Sequence, residues 1–166
     1  CFKNNQGVNK MDKPISWDQY FMGVALLSAM RSKDPNTKVG TCIVSSNKRI
    51  VGVGYNGFPY GCDDHVFPWG KTGSMNETKY PYVVHAELNA ILNSTKDLQG
   101  CTLYVSLFPC HECVKAIIQS GIKEIVYCDD KYNGTESDQA AKKMLAAANV
   151  KYRKIPWISI ALKEGK

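Results

Sequence analysis

The chain has 166 residues, 44% hydrophobic and 22% charged, a composition that excludes an intrinsically disordered protein and suits a globular domain. Its length allows one domain with a substantial core, and no apolar run approaches the roughly 20 residues that a membrane-spanning helix needs. The net charge of +6 suits an anionic ligand, but the basic residues are dispersed and form no basic tail of the kind that binds nucleic acid.

The first half of the sequence predicts a helix, a hairpin and a long loop. Apolar residues recur at helical spacing over residues 17–31, and Ser16 is a suitable N-cap. Two β-branched runs, residues 39–44 and 50–55, are separated by a polar turn and predict a hairpin. Residues 56–77 contain four glycines and two prolines without a period, and so long a loop in a compact domain is usually functional.

The second half alternates helices and strands. The predicted elements are a largely apolar and therefore buried helix at 85–94, a strand at 101–107, a helix at 109–120, a strand at 122–128, a helix at 138–148 and a strand at 150–155. Gly121 is the expected C′ residue of the helix before it. The pattern predicts an α/β fold with a mixed sheet, parallel in its later strands, and with helices on both faces. We expect a flexible segment at 1–14, one domain at 15–156 and an extension at 157–166.

Seven cysteines could form disulfides in a secreted chain, but their number is odd and the start of the sequence shows no leader pattern. We therefore expect a reducing, cytoplasmic compartment in which the cysteines are thiols or metal ligands. Cys42, Cys101 and Cys128 lie in strand-like runs and are predicted to be small buried hydrophobes.

Two short motifs carry the predicted chemistry: His85-Ala-Glu87 and Pro109-Cys-His-Glu-Cys113. His85, Cys110 and Cys113 make three ligands, and catalytic zinc takes three protein ligands and keeps a fourth position for water. A C-x-x-C at the start of a helix puts both sulfurs on one side of its first turn, where the helix dipole favours thiolates. The motifs predict a catalytic Zn²⁺ site between two helix N-termini.

Glu87 is the candidate catalytic residue beside this metal. Zinc lowers the pKa of bound water to roughly 7, and attack on a ring carbon that bears an amino group then needs a carboxylate to move protons. A structural zinc site is the alternative, and it needs a fourth ligand such as His111. A second alternative is a binding protein on an inactive enzyme fold, which the intact Glu87 disfavours.

With H-x-E followed by P-C-x-x-C, the sequence carries the signature of the zinc-dependent nucleobase deaminases. From about residue 17 to residue 154 it resembles the deoxycytidylate deaminases of the cytidine/deoxycytidylate deaminase family, most closely the eukaryotic type. The segments that carry this likeness are RSKDPNT at 31–37, VG at 39–40, GYNG at 54–57, YPY at 80–82, HAELNAI at 85–91, FPCHEC at 108–113 and DKY at 130–132. His111, Phe58 and Tyr60 depart from the pattern expected of that family.

The resemblance implies a three-layer α-β-α cytidine-deaminase-like fold with a mixed five-stranded sheet. It implies hydrolysis of dCMP to dUMP and ammonia, which feeds thymidylate synthesis. It also implies a homohexamer activated by dCTP and inhibited by dTTP with Mg²⁺.

Five residues are candidates for binding the substrate. Asn56 can hydrogen-bond sugar and base, although it is also a natural turn residue before a glycine. The backbone N–H of Ala86 can meet the pyrimidine carbonyl at the helix start. Tyr132, Lys38 and Asn36 are candidates for the phosphate, although Lys38 could equally be a solvated surface lysine.

The effector is expected in the glycine-rich loop. The resemblance places Asn56, Gly57, Gly61, Asp63 and Asp64 around a nucleotide phosphate and a divalent ion. The alternative for this loop is a flexible, solvent-facing lid. The rival substrate is a nucleic acid, which needs basic grooves interleaved with stacking aromatics. The aromatic residues of the loop lie instead among acidic ones, so we expect no nucleic-acid and no membrane partner.

Overall fold

The computed structural model describes residues 13–165, so nearly all of the predicted flexible segment lies outside the described residues. The strands are β1 Gly40–Val44, β2 Ile50–Tyr55, β3 Thr102–Leu107, β4 Glu124–Asp129 and β5 Lys151–Lys154. The α-helices are α1 Trp17–Ala29, α2 Ala86–Leu92, α3 His111–Gln119 and α4 Glu136–Ala147, and a 3₁₀ turn covers Met75–Glu77.

The five strands form one mixed sheet in the order β2-β1-β3-β4-β5. Strand β1 is antiparallel to β2 and β3, whereas β3, β4 and β5 are parallel. A parallel pair needs a crossover, and α3 and α4 supply the two crossovers of this sheet. The predicted hairpin and the predicted parallel later strands are confirmed.

Local capping sets where the helices begin and end. Ser16 caps α1 as predicted: its Oγ accepts from the N–H of Gln19 at 3.1 Å, and Gln19 Oε1 accepts from the N–H of Ser16 at 2.9 Å. Helix α4 begins two residues before the predicted start because the Thr135 hydroxyl caps it, accepting from the N–H of Asp138 at 3.3 Å. Helix α3 ends before Gly121, whose φ of 82° is the left-handed conformation expected there.

Two apolar cores lie on opposite faces of the sheet and make the protein three-layered, as expected. On one face α1 packs Phe21 and Met22 against Tyr104 and other strand residues. On the other face the residues of α2, α3 and α4 join the strands in a larger core that includes Ile117 and Leu145. The predicted burial of Cys42, Cys101 and Cys128 is confirmed.

Helix α2 is less buried than its apolar sequence predicts. Ala86, Glu87 and Ala90 are its buried residues, while Leu92 is 69% exposed. The reason is its close seat on the sheet: a Cβ at Gly52 would lie 2.7 Å from the carbonyl oxygen of Ala90, and one at Gly54 would lie 2.4 Å from the nitrogen of Ala90. The helix backbone rests directly on the backbone of β2, so only one narrow face of this short helix is covered.

The predicted C-terminal extension continues from β5 without helix or strand. Ile158 and Ile160 in it pack against the core on the α1 face of the sheet. Among the described residues, none of the helices has the length and apolarity that crossing a membrane requires.

Candidate active site

The N-termini of α2 and α3 meet at one end of the sheet. His85 is the N-cap residue of α2 and Cys110 is the N-cap residue of α3, both in extended conformation. An isolated bridge between Gly57 and Val84 ties the exit of β2 to the entry of α2, with N···O distances of 3.1 and 2.8 Å. The chain thereby brings the residues that follow β2 beside His85.

The side chains of His85, Cys110 and Cys113 converge on one point. Cys110 Sγ and Cys113 Sγ lie 3.4 and 3.3 Å from His85 Nδ1. The three donor atoms lie within 4.8 Å of one another, and no second cluster of at least three His, Cys, Asp or Glu residues so disposed exists within 13–165. One nitrogen and two sulfurs at this spacing fit zinc, with a position left for water.

The protonation of the cluster also fits a cation. Hydrogen bonds from the Cys113 thiol and from His85 lower the pKa of Cys110 to about 4 despite its burial, so Cys110 is a thiolate at neutral pH. The hydrogen bond to the Cys110 sulfur raises the pKa of His85 to about 8, and the same sulfur together with burial raises the pKa of Cys113. The protons shared around the thiolate are those that a bound metal displaces.

Glu87 lies in the first turn of α2, close to His85 and to the two cysteines. It is 4% exposed and lines the cavity described next. Burial raises the pKa of Glu87, although the nearby His85 partly opposes this effect. A carboxyl group in this setting can hold a proton at higher pH than an exposed glutamate can.

His111 does not join the cluster, which removes the four-ligand alternative. Its Nδ1 lies 2.8 Å from the Ser137 hydroxyl at the start of α4, and its Nε2 lies 3.2 Å from the Glu112 carboxylate. The side chain thus links the starts of α3 and α4 and is not a member of the donor cluster.

A cavity of about 260 Å³ opens over the cluster. Its floor contains His85, Ala86, Glu87 and Cys110, and its lining is mainly apolar, with Val39, Val83, Leu107 and Phe108. A mainly apolar cleft with a few convergent polar groups is typical of a site for a small molecule. Of the predicted substrate residues, Asn56, Ala86 and Tyr132 line this cavity.

Asn56 is held by a buried network that fixes the orientation of its amide. Its Oδ1 accepts from the N–H of Val39 at 2.9 Å, and its Nδ2 donates to the carbonyl of Thr37 at 2.9 Å and to Asp34 Oδ2 at 3.3 Å. Both amide protons are therefore used within the protein. What remains for a ligand is one lone pair of Oδ1, so Asn56 can accept from a hydroxyl but cannot also donate to a base.

The structure does not bring Asn36 and Lys38 to the cavity. The carboxylate of Asp34 accepts from the N–H groups of Asn36 and Thr37 at 2.8 and 3.2 Å, and the resulting turn leaves Asn36 and Lys38 exposed. Asn36 Nδ2 donates instead to the carbonyl of Trp69 at 3.4 Å.

Three basic residues at the cavity were not predicted. Lys71 and Lys79 line it, and Lys131 donates to the Thr37 hydroxyl at 3.0 Å and lies 5.1 Å above the Tyr132 ring. Lys131 could have been found from the sequence, because it lies in the DKY segment that carries part of the family resemblance. Lys71 and Lys79 stand in the long loop and its exit, where periodicity gives no signal.

The glycine-rich loop is organised by its own contacts. Phe58, Phe67, Trp69 and Tyr82 pack as an aromatic cluster, with ring centroids 4.1 to 5.6 Å apart. Of the residues predicted to bind the effector, Asn56 lines the cavity, whereas Gly57, Gly61, Asp63 and Asp64 do not.

The two acidic residues predicted to serve the effector, Asp63 and Asp64, already have partners within the chain. Asp63 accepts from the N–H of His65 at 2.8 Å, and Asp64 forms an ion pair with Lys33. Gly61 has a φ of 87° and open space around it.

These features define a class of enzyme. Residues 15–129 match the family model for the cytidine and deoxycytidylate deaminase zinc-binding region, and the chain belongs to this family of hydrolytic deaminases. The deoxycytidylate deaminase of Homo sapiens is 54% identical over 147 residues, which cover 87% of this chain and 83% of the human protein. The deoxycytidylate deaminase of Mus musculus is 53% identical over the same length and shares.

A solved structure shares both fold and family with this chain. The dCMP deaminase of cyanophage S-TIM5, in complex with dCMP and dUMP, superposes with a TM-score of 0.66 at 26% identity and covers 82% of this chain and 95% of its own. The predicted three-layer α/β fold with a mixed five-stranded sheet is confirmed.

Proposed function

We propose that this protein hydrolyses dCMP to dUMP and ammonia with a catalytic zinc ion held by His85, Cys110 and Cys113. The observation that carries the proposal is the convergence of one imidazole and two sulfurs with buried Glu87 on the floor of one cavity. The choice of dCMP is supported by the named activity of the human relative and by the ligands of the cyanophage enzyme. When bound, zinc lowers the pKa of a coordinated water to about 7 and so supplies a nucleophile at neutral pH.

Glu87 moves the protons that the reaction requires. Water adds to C4 of the cytosine ring, and the carboxylate takes a proton from this water and gives it to N3. A second proton transfer to the amino group makes ammonia the leaving group as the C4–N bond breaks and the C4 carbonyl forms. The raised pKa of Glu87 suits both halves of this cycle, because the ideal proton shuttle has a pKa near the working pH.

The rest of the cavity orients the nucleotide. The N–H of Ala86, in the first turn of α2, donates to the ring carbonyl, and Asn56 Oδ1 accepts from a sugar hydroxyl. Lys71 and Tyr132 line the cavity, Lys131 lies over the Tyr132 ring, and we assign the phosphate to these three residues in place of the exposed Lys38 and Asn36. A monophosphate with its base at the floor therefore places its charge at the basic rim.

Ammonia release from dCMP, CMP, deoxycytidine and a cytosine-containing oligonucleotide tests this assignment. We expect turnover of dCMP, much weaker turnover of deoxycytidine because it lacks the phosphate, and none of the oligonucleotide. Removing the metal with a chelator should abolish the activity and adding Zn²⁺ should restore it. Turnover of the oligonucleotide in preference to dCMP would overturn the proposal.

The regulation that the family resemblance implies is part of the same proposal. We infer a cytoplasmic homohexamer, activated by dCTP and inhibited by dTTP with Mg²⁺, in which Asn56, Gly57, Gly61, Asp63 and Asp64 serve the effector. Because Asp64 pairs with Lys33, an incoming Mg²⁺ has to replace this lysine at the carboxylate. Saturation curves for dCMP with and without dCTP test the regulation, and sedimentation tests the hexamer; an unchanged curve or a monomer would contradict the respective inference.

A further inference from the structure

Lys79 and Asp34 form an ion pair beside the active-site cavity. The two residues are 8% and 1% exposed, and both line the cavity. Removing two charges from water is costly, and replacing such a pair by apolar residues is often neutral or stabilising. A buried pair at the wall of a site therefore calls for an explanation beyond stability.

The carboxylate of Asp34 organises the wall that contains Asn56. One oxygen accepts from the backbone of Asn36 and Thr37, and the other accepts from Lys79 and from Asn56 Nδ2 at 3.3 Å. Lys79 in turn belongs to the segment that enters α2, since its carbonyl accepts from the N–H of Val83 at 3.0 Å. The pair thus joins the loop after α1 to the segment before His85, with the amide of Asn56 between them.

The charge of Lys79 is engaged by Asp34. Its ammonium group is therefore a poor candidate for the nucleotide phosphate, whereas the exposed Lys71 at the rim has no such competing carboxylate among the ion pairs of residues 13–165.

We propose that the Lys79–Asp34 pair is a positioning device that holds the Asn56 amide in place, so that Lys79 sets the affinity for the substrate without contacting it. Without Lys79, the buried Asp34 carboxylate loses its counter-charge, takes up a proton or a water, and no longer fixes Asn56 Nδ2. The effect on substrate affinity rests on the proposed function. Whether the Asn56 amide is held in place can be measured without any substrate.

A double-mutant cycle of Lys79→Met and Asn56→Ala, assayed with dCMP, tests the proposal. In the wild-type background, Lys79→Met should lower kcat/KM roughly ten- to a hundredfold, mainly through KM, because it misplaces a group that binds substrate. In the Asn56→Ala background the same change should cost less than about twofold, because coupled residues are not additive. Equal losses in both backgrounds would show that Lys79 acts independently of Asn56 and would overturn the proposal.

Hydrogen exchange at the Val39 amide gives a readout that needs no substrate. Its N–H donates to Asn56 Oδ1, so Lys79→Met should speed its exchange at least about tenfold if the amide of Asn56 is released. Unchanged Val39 protection would overturn the proposal, whether or not dCMP is the substrate. Failure of wild-type turnover with the expected change at Val39 would instead count against the proposed function alone.

Two further variants separate positioning from general stability. Lys79→Arg keeps the charge and should restore most of kcat/KM, whereas Lys79→Gln is the milder variant for the same cycle if Lys79→Met fails to fold. Arg153→Met removes the ion pairs of Arg153 with Asp18 and Glu124 and is the control for loss of an ion pair elsewhere in the fold. It should leave KM, kcat and Val39 exchange unchanged; a rise in KM equal to that of Lys79→Met would show a nonspecific effect and contradict positioning.

Discussion

The two walls of the cavity are built in different ways. The wall formed by the helix N-termini contributes His85 and Glu87 from the start of α2 and Cys110 from the start of α3, with Cys113 completing the donor cluster beside them. The loop wall contributes Asn56, Asp34 and Lys79 from segments that are 22 to 45 residues apart in the chain and are joined by buried hydrogen bonds. The first wall holds the groups that perform chemistry, and the second holds the groups that orient a ligand.

The difference shows how each wall is encoded. At a helix start, residues three positions apart lie on one side of the first turn, and a residue two positions beyond the N-cap is still close to them. A motif of three to five letters therefore specifies the wall formed by the helix N-termini. The loop wall depends on which loops meet, and no short spacing records that. Substitutions in the first wall should therefore act on kcat and those in the second on KM or stability.

Glu87→Gln should have the largest effect. The amide cannot carry the proton, so kcat should fall on the order of 10²- to 10⁴-fold while zinc content and KM change little. Metal analysis and steady-state kinetics measure this. Glu112→Gln, the same change at the exposed glutamate of the C-x-x-C motif, is the control; if both variants behaved alike, the difference between the walls would disappear.

Asp34→Ala should act on stability with a defined pH dependence. Burial alone would raise the pKa of Asp34, but hydrogen bonds from Lys79, Asn36 and Thr37 hold it below the usual value of 3.8. A lowered pKa means that the ionised group stabilises the fold above about pH 4, and that this contribution is lost as the pH falls through the folded-state pKa.

Urea unfolding at two pH values measures this effect. Near pH 7 the variant should lose about 3 kcal/mol of unfolding free energy, because Lys79 is left unpaired in a buried place. At about pH 3 the gap between wild type and variant should narrow. A gap that stays constant across this range would mean that Asp34 is not the titrating group.

Lys71→Met should have the smallest effect. As an exposed rim lysine it should raise the KM for dCMP only about two- to fivefold, and it should leave deoxycytidine kinetics unchanged. Lys38→Met is the comparison, since Lys38 is equally a lysine but lies outside the cavity lining. A larger effect at Lys38 would restore the sequence-based assignment of the phosphate.

Much of the fold followed from local patterns. Helical spacing with Ser16 predicted α1, β-branched runs predicted the hairpin, and Gly121 marked the end of α3, because each is a property of a few adjacent residues. The start of α4 was placed two residues late, since the Thr135 cap lies outside the apolar period. The burial of α2 was overestimated because the composition of the helix does not reveal that its backbone packs directly against Gly52 and Gly54 of β2.

In the candidate site too, the features set by adjacent residues were predictable and those set by contacts between distant segments were not. The donor cluster and Glu87 were recognisable from motif spacing. Lys79 and the single free lone pair of Asn56 were not, since both follow from hydrogen bonds between distant segments. Asn36 and Lys38 were adjacent in sequence to cavity residues, but the turn organised by Asp34 leaves both exposed.

The seat of α2 on Gly52 and Gly54 has a consequence for how such an enzyme can change. With no space for even a methyl group between strand and helix, α2 cannot move closer to the sheet to make room for a bulkier base. Laboratory evolution toward larger pyrimidines should therefore accumulate its changes in the loop wall and spare the glycines. The rigid side of the pocket preserves the reaction, and the adaptable side determines which molecules undergo it.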